Sequence, residues 1–259
     1  VDSTLVKGVA VLEWLVQQQR SCRVSEVAQA LGLARSNAHR TLQTWTHLGF
    51  VAQDTDSGTY HCTLRLFEWG SRVADGFDVR RVAREHLAEL ARSTQETIHL
   101  SVLDGAEIVY LEKIDSPQPV RAYSEVGGRA PAHCVATGKV LMAHAGAAAL
   151  ACLAAPLPRL TPKTVADLDA LRAQFVQIRR LGYAVNREEW RLGVSGLGAP
   201  IFNQQGQAIA AAGLSAPSVR MDDKRIKELG VAIAATALAI TQSLGGRVPA
   251  ATIHKKETL

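Results

Sequence analysis

VSEVAQALGLARSNAHRTLQTWTHLGF, running from Val24 to Phe50, divides into two helical stretches about one glycine. Ser25 is the expected N-cap of the first, and Glu26 sits where a helix start favours an anion. Val27, Ala28 and Leu31 form its apolar stripe. Gly32 supplies the left-handed residue that ends it, and Leu33 packs back. In the second stretch Ala38, Leu42 and Trp45 share one face at helical spacing. Arg35, Ser36, Asn37, His39, Arg40, Gln43 and Thr44 lie on the other. This predicts a helix-turn-helix whose second helix reads DNA, since Arg and Asn pair bidentately with base edges and Ser, Thr and Gln serve bases or phosphates. No acid occurs from Gly32 through Val51 to repel phosphate. Ala34 stands where a capping Ser or Thr is expected, a loss of about 1 kcal/mol unless Ser36 or a phosphate serves those amides.

An ordinary helical hairpin with a solvated polar face is the alternative reading. The residues after Gly49 argue against it. Phe50–Gln53 and Tyr60–Leu64 have strand character, and Asp54-Thr55-Asp56-Ser57-Gly58-Thr59 between them is turn chemistry. A hairpin after a recognition helix is a wing. Thr4 to Arg20, with Leu5, Val9, Leu12 and Leu15/Val16 on one face, is a helix that packs beneath.

The chain's 259 residues suffice for two domains. Its net charge of +5 is no DNA signal by itself, because bases and acids balance from Val1 to Asp75. What matters is where Arg35, Arg40, His39 and His47 lie. No apolar run approaches the ~20 residues that span a bilayer, and Asp2, Lys7 and Glu13 interrupt any signal-peptide pattern, so no membrane association and a cytoplasmic location are expected. Cys22, Cys62, Cys134 and Cys152 are scattered without CxxC spacing; no metal, cofactor or disulfide framework is expected.

Further along, Leu64 to Ala74 reads as a helix with Leu66, Phe67, Trp69 and Val73, broken at Asp75-Gly76-Phe77-Asp78. Phe67 and Trp69 are too apolar for a free linker and are expected to pack against another subunit or domain. Val79 to Ser93 is helical. Thr97 to Val102 then alternates apolar and polar, and Asp104-Gly105 turns it into the return strand Glu107–Ile114. Val120 to Ser124 is a candidate third strand, Gly127 to Pro131 a loop. Helices are expected from near Cys134 to Ala143, over Gly146–Leu153, from Val165 to Leu181, and from Asp222 to Leu244; Tyr183–Val185, Gly198–Phe202 and Ala208–Ser215 are strands. The class is α+β: an N-terminal winged helix-turn-helix domain (1–64), a linker helix and hinge (65–78), a GAF/profilin-like effector-binding domain (79–245) and a frayed tail (246–259).

The chain closely resembles the IclR family of bacterial transcriptional regulators from about Leu5 to Leu244. The resemblance rests on Leu31 to Arg40, on Gly128-Arg129-Ala130-Pro131-Ala132-His133-Cys134-Val135-Ala136-Thr137-Gly138-Lys139-Val140-Leu141-Met142-Ala143, and on Gly193-Val194-Ser195-Gly196-Leu197-Gly198-Ala199-Pro200-Ile201-Phe202. It implies a cytoplasmic repressor or activator that binds palindromic double-stranded operator DNA as a homodimer or dimer of dimers and senses a small organic acid, aromatic acids included. It implies an effector held by the amides at Ala136 and Thr137, with Asn186, Gly196, Gly213 and Ser215 as contacts and Val194, Val126 and Ala130 as apolar wall. Asn186 replaces a commoner acid, and glycine at 196 and 213 removes side chains, which suggests a bulkier or flatter ligand. Backbone geometry is the alternative for the two glycines, a solvated turn for Asn186, Glu188 and Glu189, and a structural role for His133.

An enzyme is not expected. Gly193-Val194-Ser195-Gly196-Leu197 lacks the last glycine of a nucleophile elbow. His133 stands where a P-loop ending in Gly138-Lys139 needs glycine, and Ile201 ends any dinucleotide fingerprint begun at Gly196. A protein-interaction adaptor carrying a winged helix is the other alternative.

Overall fold

The computed structural model describes residues 1–75, 78–145, 150–153 and 156–249; for 74 and 75 only the backbone is described. The expected break at 76–77, part of the helix at 146–153 and the last ten residues of the tail lie outside these. The chain divides into two compact units, 1–76 and 77–259.

In the first unit α1 (Ser3–Gln18) is capped by Asp2, whose carboxylate accepts from Thr4 N at 2.8 Å. α2 (Val24–Ala30) starts two residues earlier than the Ser25 cap predicts. Arg23 is the cap, and its N–H donates to the Glu26 carboxylate at 2.7 Å. Glu26 thus performs the capping assigned to Ser25. Gly32, at φ +61°, ends the turn, and α3 (Arg35–His47) follows. Val11, Leu15, Val27, Ala28, Ala38 and Leu42 form the core with Val51 and Tyr60. Trp45 is only half-buried and donates its indole N–H to Gly8 O at 2.8 Å, tying α3 to α1. β1 (Val51–Gln53) and β2 (Tyr60–Cys62) pair antiparallel, and the Asp54 carboxylate closes their turn by accepting from Ser57 N at 2.7 Å. α4 (Arg65–Asp75) sets Trp69 edge-on against Phe50 at 4.4 Å, whereas Leu64, Phe67 and Val73 stay exposed.

Ala34 is the N-cap of α3 and supplies no side-chain bond; the first backbone bond is Asn37 N to Ala34 O at 2.9 Å. Ala34→Ser should raise the stability of this unit by about 1 kcal/mol. A urea midpoint identical to wild type would show that those amides already have a partner.

The second unit runs α5 (Asp78–Thr94), β3 (Thr97–Asp104), β4 (Glu107–Ile114), β5 (Arg129–Pro131), a 3-10 turn (Ala132–Cys134), α6 (Ala136–Ala145), α7 (Leu168–Leu181), β6 (Ala184–Arg187), β7 (Val194–Phe202), β8 (Ala208–Pro217), a 3-10 turn (Ser218–Arg220) and α8 (Asp223–Ser243). The sheet is antiparallel throughout, in the order β5-β4-β3-β8-β7-β6. α5 and α8 cover one face through Leu87, Leu90, Ile226, Ile233 and Ile240. The other face is covered by α6 and α7 through Val140, Leu141, Leu171, Phe175 and Ile178.

Three expectations are corrected. Val120 to Ser124 forms no strand. Pro117 and Pro119, which precede it, lack ladder donors. The segment is held instead by side chains: Arg220 donates to Val120 O at 3.0 Å, and Thr97 Oγ1 to Ala122 O at 3.4 Å. The edge strand is β5, inside the stretch read as loop, pairing Ile108 with Ala130. The start of the tail is also anchored: Gly246 N bonds Thr241 O at 2.8 Å and Arg247 N bonds Asn203 O at 3.0 Å.

Candidate functional site

The first site is the outer face of α3. Arg35, Ser36, Asn37, His39, Arg40, Gln43 and Thr44 are all exposed. Arg40 donates to Asn37 Oδ1 at 3.0 Å, and Thr44 Oγ1 to Arg40 O at 3.0 Å. The guanidinium is therefore partly pre-oriented beside an amide, the pair that reads guanine and adenine edges. Arg35, Ser36 and His39 also line a groove with Gln53 and Tyr60 of the wing. The solvated face read from the sequence is in place, and no protein surface among the described residues of this unit covers it.

The second site follows from strand alternation. Ile98, Leu100, Leu197, Ala199, Ala212 and Leu214 enter the α5/α8 core. Their alternates, His99, Gly196, Gly198, Gly213 and Ser215, therefore point toward α6. Register places His99 beside Gly213 and Gly213 beside Gly198. A Cβ on Gly198 would stand 2.7 Å from Thr137 N, and one on Gly213 would stand 2.1 Å from His99 Nε2 and 2.7 Å from Thr137 Cγ2. Glycine at these two positions lets the start of α6 and the imidazole rest directly on the sheet.

Above this floor lies a cavity of about 40 Å³, room for a few water molecules. Ala136, Thr137, Asn186, Val194, Gly196 and Ser215 line it, together with His99, Tyr110, Tyr123, Ser124, Trp190 and Arg191. Val126, Ala130 and Gly213 do not. Val126 is exposed, Ala130 of β5 is buried in the core, and the space beside Gly213 is filled by His99 and Thr137. The room ascribed to the missing side chains is thus occupied by protein; beside Gly196 it is taken by Leu214 O and Ser215 Oγ, at 2.9 and 3.4 Å from a built Cβ. Three buried polar atoms in the wall, His99 Nδ1, Thr137 Oγ1 and Ser124 Oγ, have no hydrogen-bond partner among the described residues. Burial lowers the His99 pKa to about 4, so the ring is neutral at pH 7. Burial pushes Tyr110 up to about 12, against the pull of Arg191.

The far wall is braced by a buried ion pair. Lys139, 1% exposed, places its ammonium against both carboxylate oxygens of Glu189 and donates to Gln174 Oε1 at 2.9 Å. Burial pulls the Lys139 pKa down, against the field and hydrogen bond of Glu189. Glu189 N donates to Asn186 Oδ1 at 2.8 Å, and Thr164 Oγ1 to Glu189 O at 2.6 Å. Asn186 and Glu189 are therefore buried scaffold, not a solvated turn, and they fix the loop that carries Trp190 and Arg191. His133, bonded through Nε2 to Pro158 O at 3.0 Å, is structural.

Sequence reasoning missed His99 because the alternation Ile98-His99-Leu100 reads as one buried and one wet face. Both faces of this sheet carry helices, so His99 and Ser101 are buried as well. It missed the ion pair because its members are too far apart in the chain to give a local signal.

Gly213→Ala should drive a methyl into His99 and Thr137, at a cost of about 1–3 kcal/mol. Urea unfolding will show that loss; unchanged stability would mean the ring moves freely out of the way.

A winged helix-turn-helix joined to a sheet domain with a small cavity is the build of a transcriptional regulator. The family models agree: the "IclR helix-turn-helix domain" matches residues 4–55, and "Bacterial transcriptional regulator IclR C-terminal" matches residues 71–242. The HTH-type transcriptional regulator XynR of Escherichia coli is 34% identical over 95% of this chain and 98% of its own length. KdgR of the same species is 34% identical over 94% and 93%. Among solved structures, Thermotoga maritima IclR matches with a TM-score of 0.79 at 30% identity, covering 93% of this chain and 98% of that one. An IclR homologue from Microbacterium hydrocarbonoxydans, crystallised with 4-hydroxybenzoate, matches with a TM-score of 0.81 at 28% identity, covering 94% and 99%. The chain belongs to the IclR family of bacterial transcriptional regulators.

Proposed function

We propose that this regulator binds operator DNA through the exposed face of α3 and senses a small organic acid in the cavity above Gly198 and Gly213. The observation that carries the second half is the set of unpartnered polar atoms, His99 Nδ1, Thr137 Oγ1 and Ser124 Oγ, around a cavity at the start of α6. Free amides at a helix start suit a carboxylate. A relative crystallised with 4-hydroxybenzoate supports an acid, and an aromatic one is a candidate here too. A ligand of that size requires the Tyr123 or Trp190 walls to give, since the closed cavity holds only about 40 Å³.

The domain limits 1–64, 65–78 and 79–245 are proposed as the functional units. The exposed Leu64, Phe67 and Val73 supply an apolar face for a second copy, so a homodimer or dimer of dimers is proposed; sedimentation as a monomer at micromolar concentration would exclude it. Cytoplasmic residence is proposed from the DNA partner; among the described residues no helix is long and apolar enough to cross a membrane. The named relatives are regulators, which stands against catalysis.

Fluorescence anisotropy with the promoter DNA upstream of its own gene should show binding at least a thousandfold tighter than to random DNA. Equal affinity for both would defeat the regulator reading. A thermal-shift screen over aliphatic, keto and aromatic acids should raise the melting temperature with at least one of them.

A further inference from the structure

The unpartnered nitrogen of His99 bears on how an acid is held, and its role rests on the proposed effector site. His99 and Thr137 meet over one point of the sheet: a Cβ on Gly213 would stand 2.1 Å from the ring and 2.7 Å from the threonine methyl. Thr137 belongs to the first turn of α6, where the backbone bond Lys139 N to Val135 O begins the helix and the preceding amides are not spent on it. The same imidazole and threonine, with Ala136 at the helix start, line the cavity of about 40 Å³.

The groups that face His99 leave it without a counter-ion. On β4 it meets Tyr110, ring to ring at 5.0 Å and edge-on. On α6 it meets Thr137, and on β8 it lies over Gly213, with Ser215 in the same cavity wall. From the loop after β6, Arg191 lines the same cavity; of the two carboxylates of that loop, Glu189 is spent on Lys139 and Glu188 on Lys163. No acidic side chain lines the cavity among the described residues. A neutral imidazole in such a place becomes a strong base once a carboxylate arrives beside it, because the pair exchanges two separate solvation losses for one contact.

We propose that His99 is an effector-contacting residue, and that the effector is a carboxylic acid bound with uptake of one proton, giving an imidazolium–carboxylate pair at the start of α6. The proton comes from solvent and rests on the imidazole; the acid enters as its anion, and no bond other than that N–H is made. Burial alone holds the free ring near a pKa of about 4. The anion raises it, so affinity rises as pH falls, by about tenfold per unit across the neutral range for a single linked proton. The site then selects acids over neutral isosteres by charge and by the proton together.

Calorimetry tests this with the full chain. The tightest binder among a panel of aliphatic, keto and aromatic monocarboxylates, 4-hydroxybenzoate included, is titrated at pH 7 in buffers of differing ionisation enthalpy. The heat should report one proton taken up per site. His99→Gln, which keeps a hydrogen bond and takes no proton, should lose that uptake and the pH dependence, and bind at least tenfold more weakly. Binding with no proton uptake by the wild type overturns the proposal by itself and leaves the effector reading standing, whether or not the variant folds. Equal uptake in His99→Gln also overturns it. If no acid in the panel binds, the effector reading fails and this inference with it.

Discussion

Arg40→Ala should weaken operator binding roughly tenfold to a hundredfold per half-site, as loss of a bidentate base contact costs about 1–3 kcal/mol. In a dimer both recognition helices lose the contact, so the free-energy loss doubles. Arg40 qualifies because it is exposed, sits on the outward face of α3 and is oriented by Asn37 at 3.0 Å. Truncation removes nothing from the core, which is made of Val11, Leu15, Val27, Ala38 and Leu42. Melting and acid binding should stay at wild-type values. Ser215→Ala, in the cavity wall, should do the reverse and weaken acid binding while sparing DNA. Gel shift and calorimetry on both variants separate the two roles; equal effects of each on both activities would refute the division.

Lys139→Met should cost about 3–5 kcal/mol, because it strands the Glu189 carboxylate in the protein interior. That is a large part of the 5–15 kcal/mol typical of a domain. Lys139→Met combined with Glu189→Leu should recover most of the loss, since a buried ion pair contributes little net stability relative to apolar groups of similar volume. The double variant should nevertheless bind acid more weakly. Without the ion pair, the loop of Trp190 and Arg191 keeps the backbone bonds at position 189 and the Lys163–Glu188 contact but loses its buried anchor. Urea unfolding of the two variants checks the stabilities, and calorimetry the acid binding. If the single and double substitutions cost the same, the pair is not coupled.

The N-terminal unit was legible because its signals are local. Periodic Ala38 and Leu42, a glycine at the turn and a hairpin after α3 each depend on neighbours within a few residues. Even there the cap moved from Ser25 to Arg23, because Glu26 reaches back to the Arg23 amide. In the effector domain, hairpins such as β3–β4 were legible from Asp104-Gly105. The edge strand was not: Arg129-Ala130-Pro131 is a strand only because Ile108 offers it a ladder.

The cavity was half legible. Ala136, Thr137, Asn186, Val194, Gly196 and Ser215 converge as the family resemblance implies. Val126, Ala130 and Gly213 do not, for a reason no spacing reveals. The ring of His99, far away in sequence, occupies the ground that Gly213 leaves open. Lys139 and Glu189 lie equally far from local pattern, one in a helix and one in a loop.

Coupling between the proposed DNA-reading helix and the proposed acid-binding cavity is what would make this regulator respond to a ligand. It is measured by the affinity of the full chain for its operator, by anisotropy at fixed salt and pH, with and without a saturating amount of the acid that most raises its melting temperature. A change of at least fivefold in either direction is expected, the scale of ordinary coupling between sites. Identical affinity in the two titrations, with the acid shown to be bound, would contradict the coupling.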